Sequence, residues 1–292
     1  RFLDKPESVR PFKPLPTIKS DLKNLKGEGL EVVWFGHSSY LIAYNGKYIL
    51  VDPVFQNASP LSVGVKPFLG TNIYRPSDMP EIDLLIITHD HYDHLAHETL
   101  IKLQSKVKHI VCPLGVSSHL LYWGFKDEII HELDWDQNVV VDMFSITATP
   151  ARHFSGRMFT RNKTLWNSYV LEIEDKKLYL GGDSGYSEQF KKIGDTYGPF
   201  DLAFLECGQY GDNWPQIHML PEETSKAAFD LKTKILLPVH WAKFDLALHP
   251  WNEPIERLLK VVTNMPYKII SPKIGEVYSL GEDFKQEAWW NL

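Results

Sequence analysis

The densest group of side chains that can do chemistry occupies residues 88–94, which read Thr-His-Asp-His-Tyr-Asp-His and directly follow an apolar run. Imidazole and carboxylate groups are ligands that zinc accepts at about 2.0–2.2 Å, and the same pair suits manganese or iron. On an extended segment His89 and His91 project to one side, whereas Asp93 and His94 follow the turn and can face a second ion. Burying so many polar groups together without a metal would be costly. The stretch predicts a metal site, and its alternative is a solvated polar loop.

Further metal-binding side chains stand just beyond the ends of three later apolar runs. The runs and the residues that follow them are 144–149 with His153, 177–180 with Asp183, and 235–237 with His240. Ligands delivered from several strand ends can meet at one edge of a β-sandwich. Gly181 and Gly182 leave out side chains where the backbone has to approach the ions closely. This repeated context favours the metal site over the polar loop.

The elements that carry these ligands are short strands at first and then a mixture of strands and helices. Asn45-Gly46 between two apolar runs predicts a hairpin. The predicted strands are residues 31–35, 40–44, 47–51, 83–88, 109–112, 129–133, 139–142, 144–149, 168–173, 177–180, 202–205 and 235–239, and the predicted helices are 96–104, 116–123, 188–197, 222–231 and 254–262. This order indicates two sheets with helices outside. We expect one domain over residues 30–292.

Composition excludes several classes of protein. The 292 residues are 43% hydrophobic and 23% charged, which is typical of a folded chain and not of a disordered one. No apolar run approaches the roughly 18 residues that cross a bilayer. Lys and Arg total 31 against 37 Asp and Glu, and the formal charge of −6 argues against a nucleic-acid partner. Because the chain has only two cysteines, a reducing compartment is indicated, and we expect a cytoplasmic or membrane-peripheral protein. The first residue is Arg1, so a signal or anchor upstream of it would not be visible in this sequence.

Two segments outside the regular elements bear on membrane contact. Residues 1–29 are rich in proline and basic residues, which predicts an extended arm that either lies on the domain as a strap or contacts an anionic surface. Residues 54–80 form a long loop, carrying Lys66 and Arg75, that is expected to border the metal site as a lid or binding edge. Its apolar side chains either insert into an anionic bilayer or pack over the core. They are Val54, Phe55, Leu61, Val63, Val65, Phe68, Leu69, Ile73 and Tyr74.

The motif His-x-His-x-Asp-His, followed by His, Asp and His on later strands, resembles the metallo-β-lactamase fold superfamily. The resemblance implies an α+β fold, a four-layer αββα sandwich of the metallo-β-lactamase type. It also implies two Zn²⁺ ions, with Mn²⁺ or Fe²⁺ as alternatives. The implied ligands are His89, His91 and His153 for one ion, Asp93, His94 and His240 for the second, and Asp183 as a bridge between them. With the carboxylate of Asp183 at the bridging position, the chain resembles the hydrolytic phosphodiesterase, lactonase and thioesterase branches of the superfamily.

From about residue 33 to residue 278 the chain is also similar to the N-acylphosphatidylethanolamine-hydrolysing phospholipase D family. The matching runs are Gly36-His37-Ser38-Ser39, Asp52-Pro53-Val54-Phe55, His91-Tyr92-Asp93-His94-Leu95, Pro113-Leu114-Gly115, Glu132-Leu133-Asp134-Trp135, Gly182-Asp183-Ser184-Gly185-Tyr186, Gly198-Pro199-Phe200-Asp201-Leu202-Ala203, His218 before Pro221-Glu222-Glu223, and His240-Trp241-Ala242-Lys243-Phe244. Glu206-Cys207 departs from the family, which is apolar there. The resemblance implies hydrolysis of a phosphodiester to an N-acylethanolamine and phosphatidic acid.

The chemistry expected at such a site assigns a role to each group. Two ions about 3.5–4 Å apart lower the pKa of a shared water, which Asp93 and Asp183 would orient. His218 or a water would supply a proton to the leaving alcohol, and the alternative role for His218 is a residue that merely starts a helix. Glu206 would either repel an anionic head group or hold a cationic one. The residues expected around the substrate are Tyr92, Glu206, Tyr210 and His218. His37, in a Gly-His-Ser-Ser turn, is expected to be a hydrogen-bonded structural histidine.

Other functions stay open at this point. A lactonase or a soluble phosphodiesterase would use the same water on a small substrate, and a scaffold protein would bind the metal without catalysis. Structural zinc sites are closed and usually rich in thiolates, whereas the predicted ligand set contains no cysteine. We therefore expect a phospholipid or other phosphodiester as substrate, together with peripheral membrane contact. A homo-oligomer is compatible with the sequence.

Overall fold

The computed structural model describes residues 5–25, 29–59 and 65–292. Its elements, in chain order, are β1 (Leu30–Trp34), β2 (Tyr40–Tyr44), β3 (Lys47–Val51), β4 (Ile82–Ile86), α1 (His97–Leu103), β5 (Val107–Pro113), α2 (Ser117–Tyr122), β6 (Ile130–Leu133), β7 (Asn138–Val141), β8 (Phe144–Pro150), β9 (Gly156–Arg157), β10 (Thr160–Arg161), β11 (Asn167–Ile173), β12 (Lys176–Leu180), α3 (Gln189–Thr196), β13 (Leu202–Glu206), α4 (Pro221–Asp230), β14 (Ile235–Val239), α5 (Glu253–Val261), β15 (Lys268–Ile269) and β16 (Val277–Ser279). Every predicted strand and helix is present, with ends that differ by at most two residues. The short strands β9, β10, β15 and β16 were not predicted.

The chain divides into two compact units, which are described one at a time. Unit 1 comprises residues 1–10, 133–154 and 166–271, and unit 2 comprises residues 11–132, 155–165 and 272–292. The single domain expected over residues 30–292 stays a prediction.

Unit 2 is built on a seven-stranded mixed sheet with the order β16-β1-β2-β3-β4-β5-β6. Strands β1 to β3 are antiparallel neighbours, and β3, β4 and β5 run parallel. All residues of β1, β2 and β4 are buried, as their nearly unbroken apolar sequences require. Leu85 of β4, Leu100 of α1 and Leu120 of α2 share one core cluster. Strand β4 is therefore firmly packed where it leads into residues 88–94.

Unit 1 is built on a second seven-stranded sheet with the order β15-β14-β13-β12-β11-β8-β7. Strands β12 to β15 run parallel, whereas β7, β8, β11 and β12 are antiparallel neighbours. Phe190 of α3, Ala228 of α4 and Leu258 of α5 belong to one core cluster with residues of the sheet. Because β12, β13 and β14 are parallel, their carboxyl ends meet at the same edge. The later predicted ligands follow at that edge.

The described part of the basic arm is packed against the protein. In unit 1, Arg10 pairs with Asp245 at 2.8 Å, and the carbonyl of Ser8 accepts the amide of Trp251 at 3.0 Å. In unit 2, the amide of Leu15 donates to the carbonyl of Leu69 at 2.9 Å, and Leu15 is buried. These contacts favour the strap over a contact with an anionic surface. Residues 1–4 and 26–28 of the arm lie outside the described residues.

Most of the apolar side chains in the described part of the long loop pack over the core. Val54, Phe55, Phe68 and Tyr74 are buried, and Leu69 is exposed. The prediction that these four side chains insert into a bilayer is therefore wrong, because they are already buried in the protein. Leu61 and Val63 lie outside the described residues. None of the helices in the described ranges has the length and hydropathy of a bilayer-crossing segment.

Candidate metal centre

The predicted ligands of unit 2 lie together in the loop that follows β4. The ring centroid of His89 lies 4.5 Å from that of His91 and 4.1 Å from that of His94. Nε2 of His94 lies 3.6 Å from Oδ2 of Asp93. His89 and His94 are buried, whereas His91 and Asp93 are half-buried. Four of the seven predicted ligands are thus gathered by one loop.

Buried groups hold the Nδ1 atoms of two of these histidines. Nδ1 of His94 lies 2.7 Å from Oδ2 of Asp52, and Nδ1 of His89 lies 3.0 Å from the hydroxyl of Thr88. The Thr88 hydroxyl and amide also donate to Asp52, at 2.6 and 2.9 Å. Histidines that bind metals usually have their second ring nitrogen anchored in this way. Asp52 therefore belongs to the site, although from the sequence we noted it only within the run Asp52-Pro53-Val54-Phe55. Its position directly after β3, like that of the predicted ligands after their strands, was the available signal.

His37 contacts one of the predicted ligands. Its Nε2 lies 2.8 Å from Oδ2 of Asp93, and its carbonyl accepts the indole N–H of Trp34 at 2.8 Å. His37 is therefore the hydrogen-bonded histidine that was predicted, and the structure adds its partner. Burial alone would raise the pKa of Asp93, but the charge of His94 and the hydrogen bond with His37 hold that pKa well below its usual range. Asp93 is consequently an anionic group.

The predicted ligands of unit 1 also lie together. Nδ1 of His240 lies 3.1 Å from Oδ1 of Asp183, and Nε2 of His153 lies 3.7 Å from Oδ2 of the same carboxylate. All three side chains are buried. Nδ1 of His153 donates to the carbonyl of Ile217 at 2.9 Å, which again anchors the second ring nitrogen.

Two glycines near these ligands, Gly181 and Gly208, are required by close packing of backbone against backbone and not by an ion. A Cβ on Gly181 would lie 2.7 Å from the carbonyl oxygen of Phe204, on the neighbouring strand. A Cβ on Gly208 would lie 2.4 Å from the carbonyl oxygen of His240, whose φ is +67°. We predicted that Gly181 lets the backbone approach an ion closely. The structure shows instead that Gly181 lets two strands approach each other closely. This packing fixes the segments that carry Asp183 and His240.

Glu206, the departure from the phospholipase pattern, ends β13 inside the protein. It is wholly buried, and its Oε2 lies 2.6 Å from Nδ1 of His218. Its Oε1 accepts the amides of Met219 at 2.8 Å and Ser184 at 3.3 Å. The predicted contact of Glu206 with a substrate head group is thus not what the structure offers, because both oxygens are used internally. Glu206 instead orients His218.

His218 joins the ligand cluster of unit 1. Its ring stacks on that of His240 at 5.1 Å and lies edge-on to that of His153 at 5.1 Å. Asp183, Glu206, His218 and His240 each offer a ligand atom, and these atoms lie within 4.8 Å of one another. A donor set of carboxylates and imidazoles is the set that zinc, manganese and iron accept. The residues therefore fit the kind of metal that the resemblance implies.

The two predicted tyrosines lie in different environments. Tyr210 is buried, donates to Glu253 at 2.8 Å and stacks on His249 with ring centroids 4.3 Å apart. Burial and the bond to Glu253 raise the pKa of its phenol well above the usual range. A packing role replaces the substrate contact predicted for Tyr210. Tyr92 is half-buried, and the guanidinium carbon of Arg157 lies 4.1 Å from the centroid of the Tyr92 ring.

Tyr92 lines a cavity of about 590 Å³ in unit 2. Gln56 and Asn57, at the start of the long loop, border the same cavity, as a binding edge would. The β9–β10 hairpin also lines the cavity, through Arg157 at the end of β9 and Phe159 in the turn that follows. This hairpin was missed from the sequence, because strands of two residues carry no detectable alternation.

A model of the β-lactamase superfamily domain matches residues 47–241, a span that contains both ligand sets. The chain belongs to the β-lactamase superfamily. Among solved structures, a metallo hydrolase of Ignicoccus hospitalis has a TM-score of 0.64 at 21% identity, over 88% of this chain and 99% of that one. The predicted α+β fold of the metallo-β-lactamase type is confirmed.

Relatives of known sequence add to this comparison. An uncharacterized protein of Mycobacterium bovis is 39% identical over 288 residues, or 97% of this chain and 77% of that protein. The N-acyl-phosphatidylethanolamine-hydrolyzing phospholipase D 1 of Caenorhabditis elegans is 28% identical over 254 residues, or 80% of this chain and 70% of that protein. A metal-dependent hydrolase of Saccharolobus solfataricus is 26% identical over 250 residues, or 85% of this chain and 98% of that protein. This superfamily member is a metal-dependent hydrolase.

Proposed function

We propose that the protein is a di-metal phosphodiesterase of the phospholipase D type, which hydrolyses N-acylphosphatidylethanolamine to an N-acylethanolamine and phosphatidic acid. The observation that carries this proposal is the chemistry of the two ligand sets, in which the carboxylates of Asp93 and Asp183 stand among histidines whose second nitrogen is anchored. Such sets suit catalytic ions. The similarity to the phospholipase of C. elegans supports the choice of substrate.

The proposed division of ligands follows the superfamily resemblance. The ligands are His89, His91 and His153 for one ion, Asp93, His94 and His240 for the other, and Asp183 for both. Zinc is the metal proposed, with manganese and iron as alternatives. When bound, two divalent ions lower the pKa of a shared water and neutralise charge on the phosphoryl oxygens.

The protein's own residues supply orientation and the proton. Asp93, held by His37, and Asp183 orient the attacking water toward phosphorus. The water oxygen bonds to phosphorus, and the bond from phosphorus to the ethanolamine oxygen breaks. His218 gives the proton at its Nε2 to that leaving oxygen, because its Nδ1 is occupied by Glu206, and the proton that the attacking water loses restores the one on Nε2.

Charge favours a phosphodiester over a lactone. Two divalent ions, when bound, would stabilise an anionic phosphodiester more than a neutral lactone. The cavity beside Tyr92, lined partly by Trp123 and Phe159, offers space for apolar parts of a lipid. Both features support a lipid phosphodiester as the substrate.

Hydrolysis in oxygen-18 water tests the proposal. We expect label in phosphatidic acid when N-acylphosphatidylethanolamine is the substrate, since water attacks phosphorus. Elemental analysis should find nearly two metal ions per chain. Asp183→Asn should retain the fold by circular dichroism but lose metal and at least about a hundredfold in activity.

The opposite results would be equally clear. Label only in an opened lactone carboxylate, with no turnover of phospholipid, would establish the lactonase instead. Full activity of Asp183→Asn would refute the shared role of that carboxylate.

A further inference from the structure

Three large, exposed apolar side chains of unit 2 line one cavity, and we call them the apolar rim: Tyr122, Met158 and Phe159. Met158 and Phe159, in the turn between β9 and β10, are 79% and 97% exposed, and Tyr122, at the end of α2, is 88% exposed. All three line the cavity beside Tyr92, so the two segments are neighbours. Adjacent large apolar groups in water usually mark a contact surface.

The β9–β10 hairpin presents its tip from a firm base. The amide of Gly156 donates to Oδ1 of Asp90 at 2.6 Å. One guanidinium nitrogen of Arg157 donates to the carbonyls of Asp90 and Leu95, at 2.7 and 2.8 Å. Met158 has a φ of +53°, a conformation that costs energy in a residue other than glycine. The outward position of the tip is therefore built into the fold.

The support of the hairpin is the metal-binding loop itself. Asp90 stands between His89 and His91, so the same short segment carries predicted ligands and anchors the hairpin. Arg157 also lies over the rings of Tyr92 and Trp123, at 4.1 and 5.4 Å. The apolar rim thus has a fixed position relative to the ligands of unit 2.

The chemistry of the rim matches a lipid surface. An aromatic pair and a flexible thioether project beyond the backbone, and the exposed basic residues Arg161 and Lys163 follow in the chain. Proteins that bind bilayers at the interface combine apolar insertion with nearby positive charge in this way. The residues of the rim also line the cavity, so a lipid that leaves the bilayer at the rim is already beside it.

We propose that the apolar rim docks on the surface of a phospholipid bilayer and that lipid substrates enter the cavity beside Tyr92 from there. The entry of substrate rests on the proposed function, whereas docking of the rim does not. The proposal moves membrane contact from the long loop, whose described apolar residues are mostly buried, to the β9–β10 hairpin and α2.

Vesicle sedimentation tests the docking. The double variant Met158→Ser/Phe159→Ser should partition at least about tenfold less onto vesicles of phosphatidylcholine, with or without phosphatidylglycerol, because two large apolar side chains are lost from the contact. Tyr122→Ser should act in the same direction. Phe12→Ser is the matched control, since Phe12 is 74% exposed on the arm, and its binding should equal that of the unaltered protein.

A water-soluble short-chain phosphodiester separates docking from catalysis. In the double variant, hydrolysis of the soluble substrate should fall far less than hydrolysis of N-acylphosphatidylethanolamine in vesicles, because Met158 and Phe159 line the cavity but only the vesicle reaction needs docking. Loss of vesicle binding in a protein that cleaves no phosphodiester would support the docking and refute the proposed function.

Three results would overturn the docking. They are equal vesicle binding by the unaltered protein and the double variant, no vesicle binding by the unaltered protein, and a change by light scattering from a dimer to a monomer in the variant with vesicle binding unchanged. The last result would assign the rim to contact between copies of the chain.

Discussion

At the scale of single residues, four histidines of the site are fixed through Nδ1, which leaves Nε2 for a metal or a proton: His89, His94, His153 and His218. Asp52 holds His94, and Glu206 holds His218 with a bond of 2.6 Å. Both carboxylates are wholly buried, which makes these bonds strong and removes competition from water. Such outer carboxylates set the orientation of a ring without touching a substrate.

Glu206→Gln should lower kcat by about tenfold to a hundredfold while KM and metal content stay the same. The amide keeps an oxygen for the Met219 N–H, but it places a donor against the N–H of His218, so the ring loses its anchored orientation. Steady-state kinetics and elemental analysis of the same preparation measure both quantities.

Glu223→Gln is the matched control for that variant. Glu223 accepts the amide of Leu220 at 2.9 Å at the start of α4, and an amide oxygen can still accept there. Its kcat should not change. An unchanged kcat in Glu206→Gln would show that Glu206 is only part of the packing.

At the scale of elements, helices α3 and α4 approach each other closely because a glycine faces the contact. A Cβ on Gly194 of α3 would lie 2.0 Å from the carbonyl oxygen of Asp230, the last residue of α4. Backbone cannot move aside as a flexible side chain can. The α3–α4 contact therefore depends on the absence of one methyl group, next to Phe190 and Ile193 in the core.

Gly194→Ala should lower the free energy of unfolding by about 2–4 kcal/mol, because overpacking against backbone outweighs the better helix propensity of alanine. Urea denaturation measures the change. Lys192→Ala, on the same helix at an exposed position, is the control and should change stability by less than about 0.5 kcal/mol. A Gly194→Ala protein as stable as the control would mean that the helices separate without cost.

The elements were largely predictable from the sequence, whereas several contacts of the site were not. Strands and helices follow local periodicity, and the motif at residues 88–94 identifies its metal chemistry by density alone. The pairing of Glu206 with His218 joins residues on opposite sides of a loop, so no local pattern reveals it. The burial of Tyr210 was missed for the same reason, since its partner Glu253 lies on α5.

At the scale of the whole molecule, folding stability is linked to pH through a histidine that is held neutral. Nε2 of His249 accepts the amide of Gln209 at 2.8 Å, and its Nδ1 donates to the carbonyl of Pro250 at 2.8 Å. Burial lowers the pKa of His249 below its ordinary value of 6.5, although the bond to Pro250 opposes the shift. The unfolded chain therefore takes up this proton at a higher pH than the folded protein does.

Stability contributed by His249 should be fully present above about pH 6.5 and should be lost as the pH falls through the lowered pKa. His249→Gln keeps an acceptor for Gln209 but cannot be protonated, so its free energy of unfolding should fall less between about pH 7.5 and pH 5.5. Denaturation curves of both proteins at the two pH values give the comparison. Parallel losses of stability would exclude His249 as the linked group.

The anchored imidazoles of the two ligand sets have a consequence for how fast metal is taken up. A ring that folding has already oriented needs no conformational search when an ion arrives. Loading should then be limited by removal of water from the ion rather than by rearrangement of the protein. The same rigidity slows release, because His89, His94 and His153 cannot swing away without breaking the hydrogen bond behind each ring.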